Sequence, residues 1–253
     1  MRERSGKPAK RARLGADLKI KPIRTERDTL QEQIYRRLRE VIMTGAIRPG
    51  EKLSYRGLAD KLGTSPMPVR DAVRRLVSEH VLQVHANRTI GVPLPTRERL
   101  AEIYRIREVL EGLAAQEAAL RVNKADIKAL RIVEDELEAA HHAKDGPADD
   151  YLSLNERFHF SIYRMAQMPH LIEMIERLWL QTGPLLNFTR SSLAGHVIFN
   201  HHRAAVDALE RGDQIRARQE IEGDIRDAFQ ILVAQLFPPA DEAEATLRKR
   251  PAG

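Results

Sequence analysis

Apolar residues recur at helical spacing along most of the chain, and the spacing changes to a two-residue alternation only near residue 84. The first helical stretch covers residues 28–44, and its apolar side chains fall on one face. Two shorter helical patterns follow within residues 52–83. Gly63 to Pro66 separate these patterns and supply a turn glycine, a capping hydroxyl and a helix-starting proline. These features predict a helix-turn-helix.

Residues 83–94 alternate apolar and polar positions around Asn87, so we expect a β-hairpin beside the second helix. A helix-turn-helix followed by a hairpin is the order of parts in a winged helix. After Thr96 nearly every stretch has helical spacing, without a strand pattern. The helices predicted there cover residues 97–121, 124–144, 148–167, 170–193, 197–210 and 213–236.

The short connections between these helices predict an antiparallel bundle of six or seven helices. Pro184 should kink or split the fourth of them. The expected fold class is therefore mainly α, with an N-terminal winged helix-turn-helix. The predicted segments are a flexible basic tail over 1–27, the winged helix-turn-helix over 28–95, the all-α domain over 96–237 and a polar tail over 238–253.

The net charge of +6 is concentrated at the amino-terminal end. Residues 1–27 carry +7, residues 28–95 carry +4 and residues 96–253 carry −5. Positive charge at the helix-turn-helix end favours a phosphate backbone as its partner. Cysteine is absent, which excludes disulfides and thiolate metal sites and fits a reducing cytoplasm. No apolar run approaches the roughly 18–20 residues of a membrane span, so no membrane partner is expected.

The helix-turn-helix and the hairpin carry the candidate DNA contacts. Arginines on the second helix are expected to enter the major groove, an arginine at the start of the preceding helix to contact a phosphate, and the wing tip to reach the minor groove. The alternative is a helical hairpin that only fills an all-α core. The predicted DNA-binding residues are Arg56, Ser65, Met67, Arg70, Arg74, Asn87 and Arg88.

Residues 49–83, PGEKLSYRGLADKLGTSPMPVRDAVRRLVSEHVLQ, resemble the DNA-binding domain of the GntR family of bacterial transcription regulators. Most positions match the family pattern. Two departures stand out, because Tyr55 replaces a usual glutamate and Pro66 replaces an arginine that usually contacts DNA. The resemblance therefore implies DNA binding but leaves the operator sequence open.

Three later stretches resemble the ligand-sensing domain of the FadR branch of that family, the FCD domain. They are YRIREVLEGLAAQEAA (104–119), LNERFHFSIYRMA (154–166) and HHRAAVDALERGD (201–213). The resemblance implies that the bundle dimerises and encloses a small-molecule pocket. Two winged helices related by a two-fold axis would then bind a pseudo-palindromic operator.

Four polar residues are expected to face the interior of the bundle. Asn155 and His159 lie one turn apart on one helix, His202 has apolar neighbours at i+3, i+4 and i+7, and Asp224 lies beside apolar residues of the last helix. Two imidazoles, a carboxylate and an amide oxygen can form an incomplete shell for a divalent cation. The alternative is a buried polar cluster that bonds internally or holds an effector directly.

The resemblance implies a metal at these four positions. Many regulators of the FadR branch hold a metal with one aspartate and three histidines. Here Asn155 takes the place of the aspartate and Asp224 that of the third histidine, while His159 and His202 match. Because only two nitrogens remain, Zn²⁺ or Ni²⁺ should bind less tightly than in a three-histidine site, and Mn²⁺ becomes a candidate.

Arg107 is the candidate effector-binding residue. Similar domains place an effector-facing arginine in this stretch, and a guanidinium can hold a carboxylate with two hydrogen bonds. A small organic acid would therefore suit the pocket. The alternative is a structural salt bridge to Glu111, one helical turn further on.

These observations predict a cytoplasmic, DNA-binding transcriptional repressor, not an enzyme, whose operator affinity is controlled by a small organic acid. One alternative is a metal-dependent enzyme fused to a DNA-binding head, which would convert the acid rather than release it unchanged. A second alternative is an architectural DNA-binding protein without an effector. That protein would have a solid apolar bundle interior.

Overall fold

The computed structural model describes residues 29–142, 148–188 and 195–238. The amino-terminal elements are α1 (Leu30–Met43), α2 (Tyr55–Lys61), α3 (Pro66–Ser78), β1 (Gln83–Val84) and β2 (Ile90–Gly91). The later elements are α4 (Arg97–Ala118), α5 (Lys124–His142), α6 (Ala148–Met165), α7 (Pro169–Thr182), a 3₁₀ helix (Gly183–Phe188), α8 (Gly195–Glu210) and α9 (Gln214–Leu236). The tails predicted over residues 1–27 and after residue 238, and the break predicted at residues 145–147, lie outside the described residues.

Local chemistry starts and ends the helices of the amino-terminal half. The Thr29 hydroxyl accepts a hydrogen bond from the backbone N–H of Glu32 and caps α1. Ser54 caps α2 in the same way. Gly63 adopts a left-handed φ of 63° between α2 and α3, and Pro66 occupies the first position of α3. The turn between the two helices therefore has the chemistry that its sequence predicts.

The wing is a short antiparallel pair in which Val84 of β1 lies opposite Ile90 of β2. Leu53 extends this pair, because its N–H and C=O both bond to Ile90 at 2.8 Å. Ile90 is fully buried, so the wing is anchored to the core of the same half. That core joins α1, α2, α3 and the wing through buried apolar side chains, among them Ile34, Leu38, Ile42, Leu58, Val69, Val73 and Leu76.

Six α-helices and one 3₁₀ helix make up the carboxy-terminal half of the described chain, and the mainly α fold with a winged helix-turn-helix is confirmed. α4 packs along α9, and α5 packs against α6 and α8. The fourth predicted helix is split as expected: its α-helical part ends at Thr182, next to Pro184, and the chain continues as the 3₁₀ helix. Within the described residues, no helix is both long and apolar enough to cross a membrane.

α7 and the 3₁₀ helix connect the bundle to the winged helix. The Leu180 side chain belongs to the buried cluster of the winged helix rather than to the bundle core. The side-chain amide of Asn187 donates to the backbone oxygen of Gly45 at 2.8 Å, just after α1. Arg39 of α1 also pairs with Glu176 of α7 at 2.8 Å. α7 and the 3₁₀ helix therefore lie against α1 and the turn that follows it.

Gly183 lies at a close backbone approach between the two halves. A methyl group added at Gly183 would lie 2.9 Å from the backbone oxygen of Met43. We predict that Gly183→Ala lowers the free energy of unfolding by about 1–3 kcal/mol, the usual cost of overpacking. Melting followed by circular dichroism measures this, with Gly57→Ala as the control, because its methyl would meet only the Ser54 hydroxyl. Equal melting temperatures for Gly183→Ala and the unaltered chain would contradict this close approach.

Candidate DNA-binding surface and buried polar site

All seven predicted DNA-binding residues are exposed on the winged helix. Three of them, Met67, Arg70 and Arg74, share one face of α3 because they lie at i, i+3 and i+7. The Met67 side chain is 70% exposed. The other four are Arg56 in α2, Ser65 before α3, and Asn87 with Arg88 between β1 and β2. Their contacts with DNA remain predictions.

All three arginines of α3 are exposed, but they differ in their contacts with α1. The Arg70 guanidinium lies 5.3 Å from the ring centre of Tyr55, one of the two departures from the family pattern. Among the described residues, Arg74 is paired with Asp71 of its own helix, at 3.3 Å, and its side chain is 79% exposed. Arg75 instead bonds to Glu32 of α1 and stacks on the ring of Tyr35. Arg70 and Arg74 therefore remain available at the surface, whereas Arg75 holds α1 against α3.

The wing tip is shaped by its own polar residues. The Asn87 side-chain oxygen accepts from the Thr89 backbone N–H at 3.1 Å and from the Thr89 hydroxyl at 2.7 Å. Arg88 adopts a left-handed φ of 63°, which is uncommon outside glycine and places its side chain on the turn. An exposed arginine on a constrained turn is suited to contact the DNA backbone or minor groove.

In the bundle the structure brings together the buried polar residues predicted from the sequence. His159 Nε2 lies 3.3 Å from one carboxylate oxygen of Asp224, and His202 Nε2 lies 3.2 Å from the other. One ligand atom from each of the three residues falls within 4.8 Å of the others. Asn155 is also buried, and together with His159 and Asp224 it lines a small cavity. His201 points elsewhere, because its ring bonds to Glu220 at 2.6 Å and to Asp227 at 3.2 Å.

A hydrogen-bond chain fixes the tautomer of His159. The Tyr163 hydroxyl donates to the Glu111 carboxylate at 2.5 Å, so its oxygen is free to accept from His159 Nδ1 at 3.0 Å. Nδ1 then carries the proton, and the lone pair of Nε2 faces the Asp224 carboxylate. Two acceptors that face each other at 3.3 Å are suited to hold a cation between them.

The electrostatics of the cluster agree with this arrangement. Burial lowers the pKa of His159 to about 4, which leaves the imidazole neutral near pH 7. Burial alone would raise the pKa of Asp224, but the imidazoles of His202 and His159 outweigh burial and hold that pKa below its ordinary value. The cluster thus presents a carboxylate beside the neutral imidazole of His159.

Arg107 lies at the edge of the same cavity and forms the salt bridge that was the alternative to effector binding. Its guanidinium bonds to Glu111 from Nε at 2.6 Å and from a terminal nitrogen at 3.3 Å. The other terminal nitrogen donates to the Thr182 hydroxyl at 3.1 Å. Trp179 Nε1 also donates to Glu111, at 3.1 Å. Burial lowers the pKa of Arg107, but Glu111 and neighbouring groups outweigh burial and raise it above its ordinary value.

The cavity beside these residues is small and is lined by side chains of five elements. Its volume is about 20 Å³, which holds one ion or one water but no organic acid. The two imidazole–carboxylate distances, 3.3 and 3.2 Å, match the roughly 3.0–3.4 Å between neighbouring ligand atoms held at about 2.1 Å around one ion. The residues that line the cavity are Arg107, Tyr151, Asn155, His159, Trp179, Leu186, Asp224, Ile225 and Ala228.

Two family models match these two halves. Residues 30–92 match the bacterial regulatory proteins of the gntR family, and residues 102–227 match the FCD domain. The HTH-type transcriptional regulator McbR of Escherichia coli is 35% identical over 160 residues, which are 63% of this chain and 72% of that protein. The chain belongs to the gntR family. It is a DNA-binding transcriptional regulator with an FCD effector-binding domain, and regulators of this family typically dimerise.

One solved structure and a second relative are also similar to this chain. The structure of E. coli McbR/YncC superposes with a TM-score of 0.74 at 30% identity and covers 83% of this chain and 100% of that one. The probable D-xylose utilization operon transcriptional repressor of Paenarthrobacter nicotinovorans is 28% identical over 191 residues, which are 75% of this chain and 83% of that protein. The regulator thus shares its two-part architecture with E. coli McbR/YncC.

Several residues of the site were not predicted from the sequence. Trp179 and Tyr163 both bond to the buried carboxylate of Glu111, although neither was a predicted site residue. No sequence pattern indicated Thr182, although its hydroxyl accepts a hydrogen bond from the Arg107 guanidinium. A fully buried tryptophan or tyrosine usually finds a partner for its N–H or O–H, and this rule could have indicated the first two.

We predict that Arg70→Ala weakens operator binding by about 1–3 kcal/mol, the usual contribution of an arginine that contacts a base. Arg75→Ala is the matched control on the same helix, because Arg75 bonds to Glu32 and stacks on Tyr35. The control should lower the melting temperature but leave the DNA affinity of the folded protein unchanged. Fluorescence anisotropy with a selected operator measures both. Wild-type affinity in Arg70→Ala would remove Arg70 from the interface.

Proposed function

We propose that this regulator binds a pseudo-palindromic operator as a homodimer and that a small carboxylic acid, anchored on a divalent metal ion in the bundle, controls its operator affinity. The observation that supports this proposal most is the convergence of His159, His202 and Asp224 within 4.8 Å beside the buried Arg107. Because its partner is DNA, we place its action in the bacterial cytoplasm. We further propose repression that the acid relieves.

The residues that would hold the ion are two imidazoles, one carboxylate and one amide. His159 is already oriented by Tyr163, as metal-binding histidines usually are by a second partner. Asn155 would add a weak neutral oxygen from the same helix. Mn²⁺, Ni²⁺ and Zn²⁺ are the candidates, since the set mixes nitrogen and oxygen donors. When bound, such an ion supplies positive charge and open positions that attract a carboxylate.

Arg107 is suited to bind the same acid. Three of its five N–H donors are used by Glu111 and Thr182, so two remain. The guanidinium lines the cavity, and its charge is held by the salt bridge to Glu111. A carboxylate could therefore bind the remaining donors without breaking that salt bridge. The two readings of Arg107, effector contact and structural partner, are compatible in this geometry.

Because the cavity is small, an acid that binds there would have to move its wall, and this movement could reach the DNA-binding half. An organic acid fits only if the wall moves, and Trp179 and Leu186 of that wall belong to α7 and the 3₁₀ helix. The same segment contributes Leu180 to the core of the winged helix and binds Gly45 through Asn187. Displacing the wall would therefore shift the end of α1. The acid would favour the arrangement of the DNA-binding heads that it binds more tightly.

A regulator is a better account than an enzyme or an architectural protein. Both family models match regulators, and the buried polar cavity is what a ligand sensor needs. The enzyme alternative predicts that the bound acid is converted, which mass spectrometry of the incubated acid would reveal. A sensor returns it unchanged.

The metal can be tested directly. We predict that the chelated protein takes up Mn²⁺, Ni²⁺ or Zn²⁺ in calorimetry and that His202→Ala loses this uptake while it keeps its helical content. His201→Ala is the matched control, because the neighbouring ring faces Glu220 and Asp227 instead. Its metal uptake should equal that of the unaltered chain. Full metal occupancy in His202→Ala would contradict the proposed metal site.

The acid can be tested separately from the metal. In a thermal-shift screen of small organic acids, an acid at about 100 times its dissociation constant should stabilise the protein by roughly 2.7 kcal/mol. We predict that Arg107→Lys keeps metal uptake but loses this stabilisation, because lysine lacks the planar donor pair. If no acid shifts the melting temperature with any metal, the effector proposal fails. If acids act without metal, Arg107 and the histidines bind them directly.

A further inference from the structure

The start of α3 carries few groups that could recognise a base. In a helix-turn-helix, side chains near the start of the second helix contact the base edges in the major groove. Here α3 begins with the sequence Pro-Met-Pro-Val-Arg, so residues 66–69 offer no side-chain hydrogen-bond donor. Arg70 is therefore the first residue of α3 whose side chain can donate hydrogen bonds to a base.

Arg70 also keeps its charge and its donors uncommitted. Within the described part of the chain, its guanidinium makes no hydrogen bond and no ion pair, and its central carbon lies 5.3 Å from the ring centre of Tyr55. The other arginines of α3 differ, because Arg74 pairs with Asp71 and Arg75 pairs with a glutamate of α1. Arg70 is thus the arginine of α3 that no paired carboxylate neutralises.

The ring of Tyr55 holds the Arg70 guanidinium without using any of its donors. A cation is attracted to the face of an aromatic ring, whereas the five N–H groups of an arginine form a planar fork that remains free. Tyr55 is itself held in place, because it is the first residue of α2, follows the cap residue Ser54 and packs against the buried cluster of the winged helix. The contact therefore orders a long, exposed side chain before any DNA binds.

We infer that Tyr55 is a positioning residue that presents the edge of the Arg70 guanidinium to a guanine of the operator. The inference deepens the proposed operator binding and rests on it. Guanine offers two neighbouring acceptors, N7 and O6, in the major groove, and one guanidinium can donate to both. Arg70 would thus recognise one guanine in each half-site. Tyr55 would set how strongly this guanine is preferred to other bases.

The size of the effect follows from the order that Tyr55 supplies. A long side chain that must be immobilised on binding lowers the affinity, and a side chain that is already ordered avoids this loss. For one side chain the difference corresponds to about three- to tenfold in affinity. Because contacts to phosphate carry no sequence information, the loss should fall on DNA that contains the guanine and spare DNA that lacks it.

The test uses the full chain after chelation, without metal or acid, so that a failure of the effector proposal would leave it unaffected. The unaltered chain selects an operator from random DNA, and the guanine is the base that selection by Arg70→Ala loses. Fluorescence anisotropy then gives the affinity for this operator divided by the affinity for the same DNA with adenine at that position. Tyr55→Met fills the place of the ring without an aromatic face and should lower this ratio by about three- to tenfold. Tyr55→Phe should keep the ratio of the unaltered chain.

A double-mutant cycle separates positioning from folding. In the Arg70→Ala background, Tyr55→Met should leave the ratio unchanged, because the side chain that it positions is absent. Tyr35→Met is the matched control, because the Tyr35 ring lies 3.5 Å from the guanidinium carbon of Arg75. This control should lower the melting temperature but keep the ratio.

Three results would overturn the inference. The first is an unchanged ratio in Tyr55→Met, and the second is an equal loss of affinity for both DNAs in that variant. The third is an operator selected by Arg70→Ala that retains every guanine selected by the unaltered chain. If Tyr55→Met does not fold, Tyr55→Leu takes its place with the same expected and contradicting results.

Discussion

The buried carboxylate of Glu111 is the interaction on which the site depends. It accepts hydrogen bonds from Arg107 of its own helix, Tyr163 of α6 and Trp179 of α7. A buried charge is tolerated only when its partners surround it, and removing one partner of such a pair typically costs about 3–5 kcal/mol. Three helices are thereby held in one arrangement. Glu111 itself touches neither the proposed metal nor the DNA.

The same carboxylate sets the chemistry on both sides of it. Through Tyr163 it orients His159 so that Nε2 faces Asp224, and through Arg107 it keeps a guanidinium buried beside the cluster. Through Trp179 it holds the end of α7. Beyond that end, Gly183 lies close to Met43, the last residue of α1. Asn187 bonds to Gly45, which follows α1. A change in the cavity therefore has a continuous route of packed and hydrogen-bonded groups to the DNA-binding half.

Much of this could be predicted from the sequence, because the signals are local. Caps, the turn glycine and helical spacing placed the winged helix, and Pro184 placed the change from α-helix to 3₁₀ helix. The one-turn spacing of Asn155 and His159, and the apolar neighbours of His202 and Asp224, indicated that these residues face the interior of the bundle. Helix spacing alone was sufficient for these predictions, since each concerns a single element and the face that it buries.

What could not be predicted depends on contacts between distant parts of the chain. Tyr163 and Trp179 lie 52 and 68 residues from Glu111, and nothing local indicates that they share its carboxylate. The sequence also could not indicate that the cavity has a volume of only about 20 Å³ or that Asn187 bonds to Gly45. Those features arise from how the helices pack, and they turn a list of candidate ligands into a proposal about control.

Backbone amide exchange tests most directly the claim that the cavity and the DNA-binding half share one wall. Hydrogen–deuterium exchange would be followed by mass spectrometry for the chelated protein and for the protein with Mn²⁺ and the acid that stabilises it most. The account predicts that exchange changes in residues 179–188 and also in residues 41–47, where Gly45 and Met43 meet the 3₁₀ helix. Changes confined to the bundle, with α1 and its following turn unaffected, would contradict it.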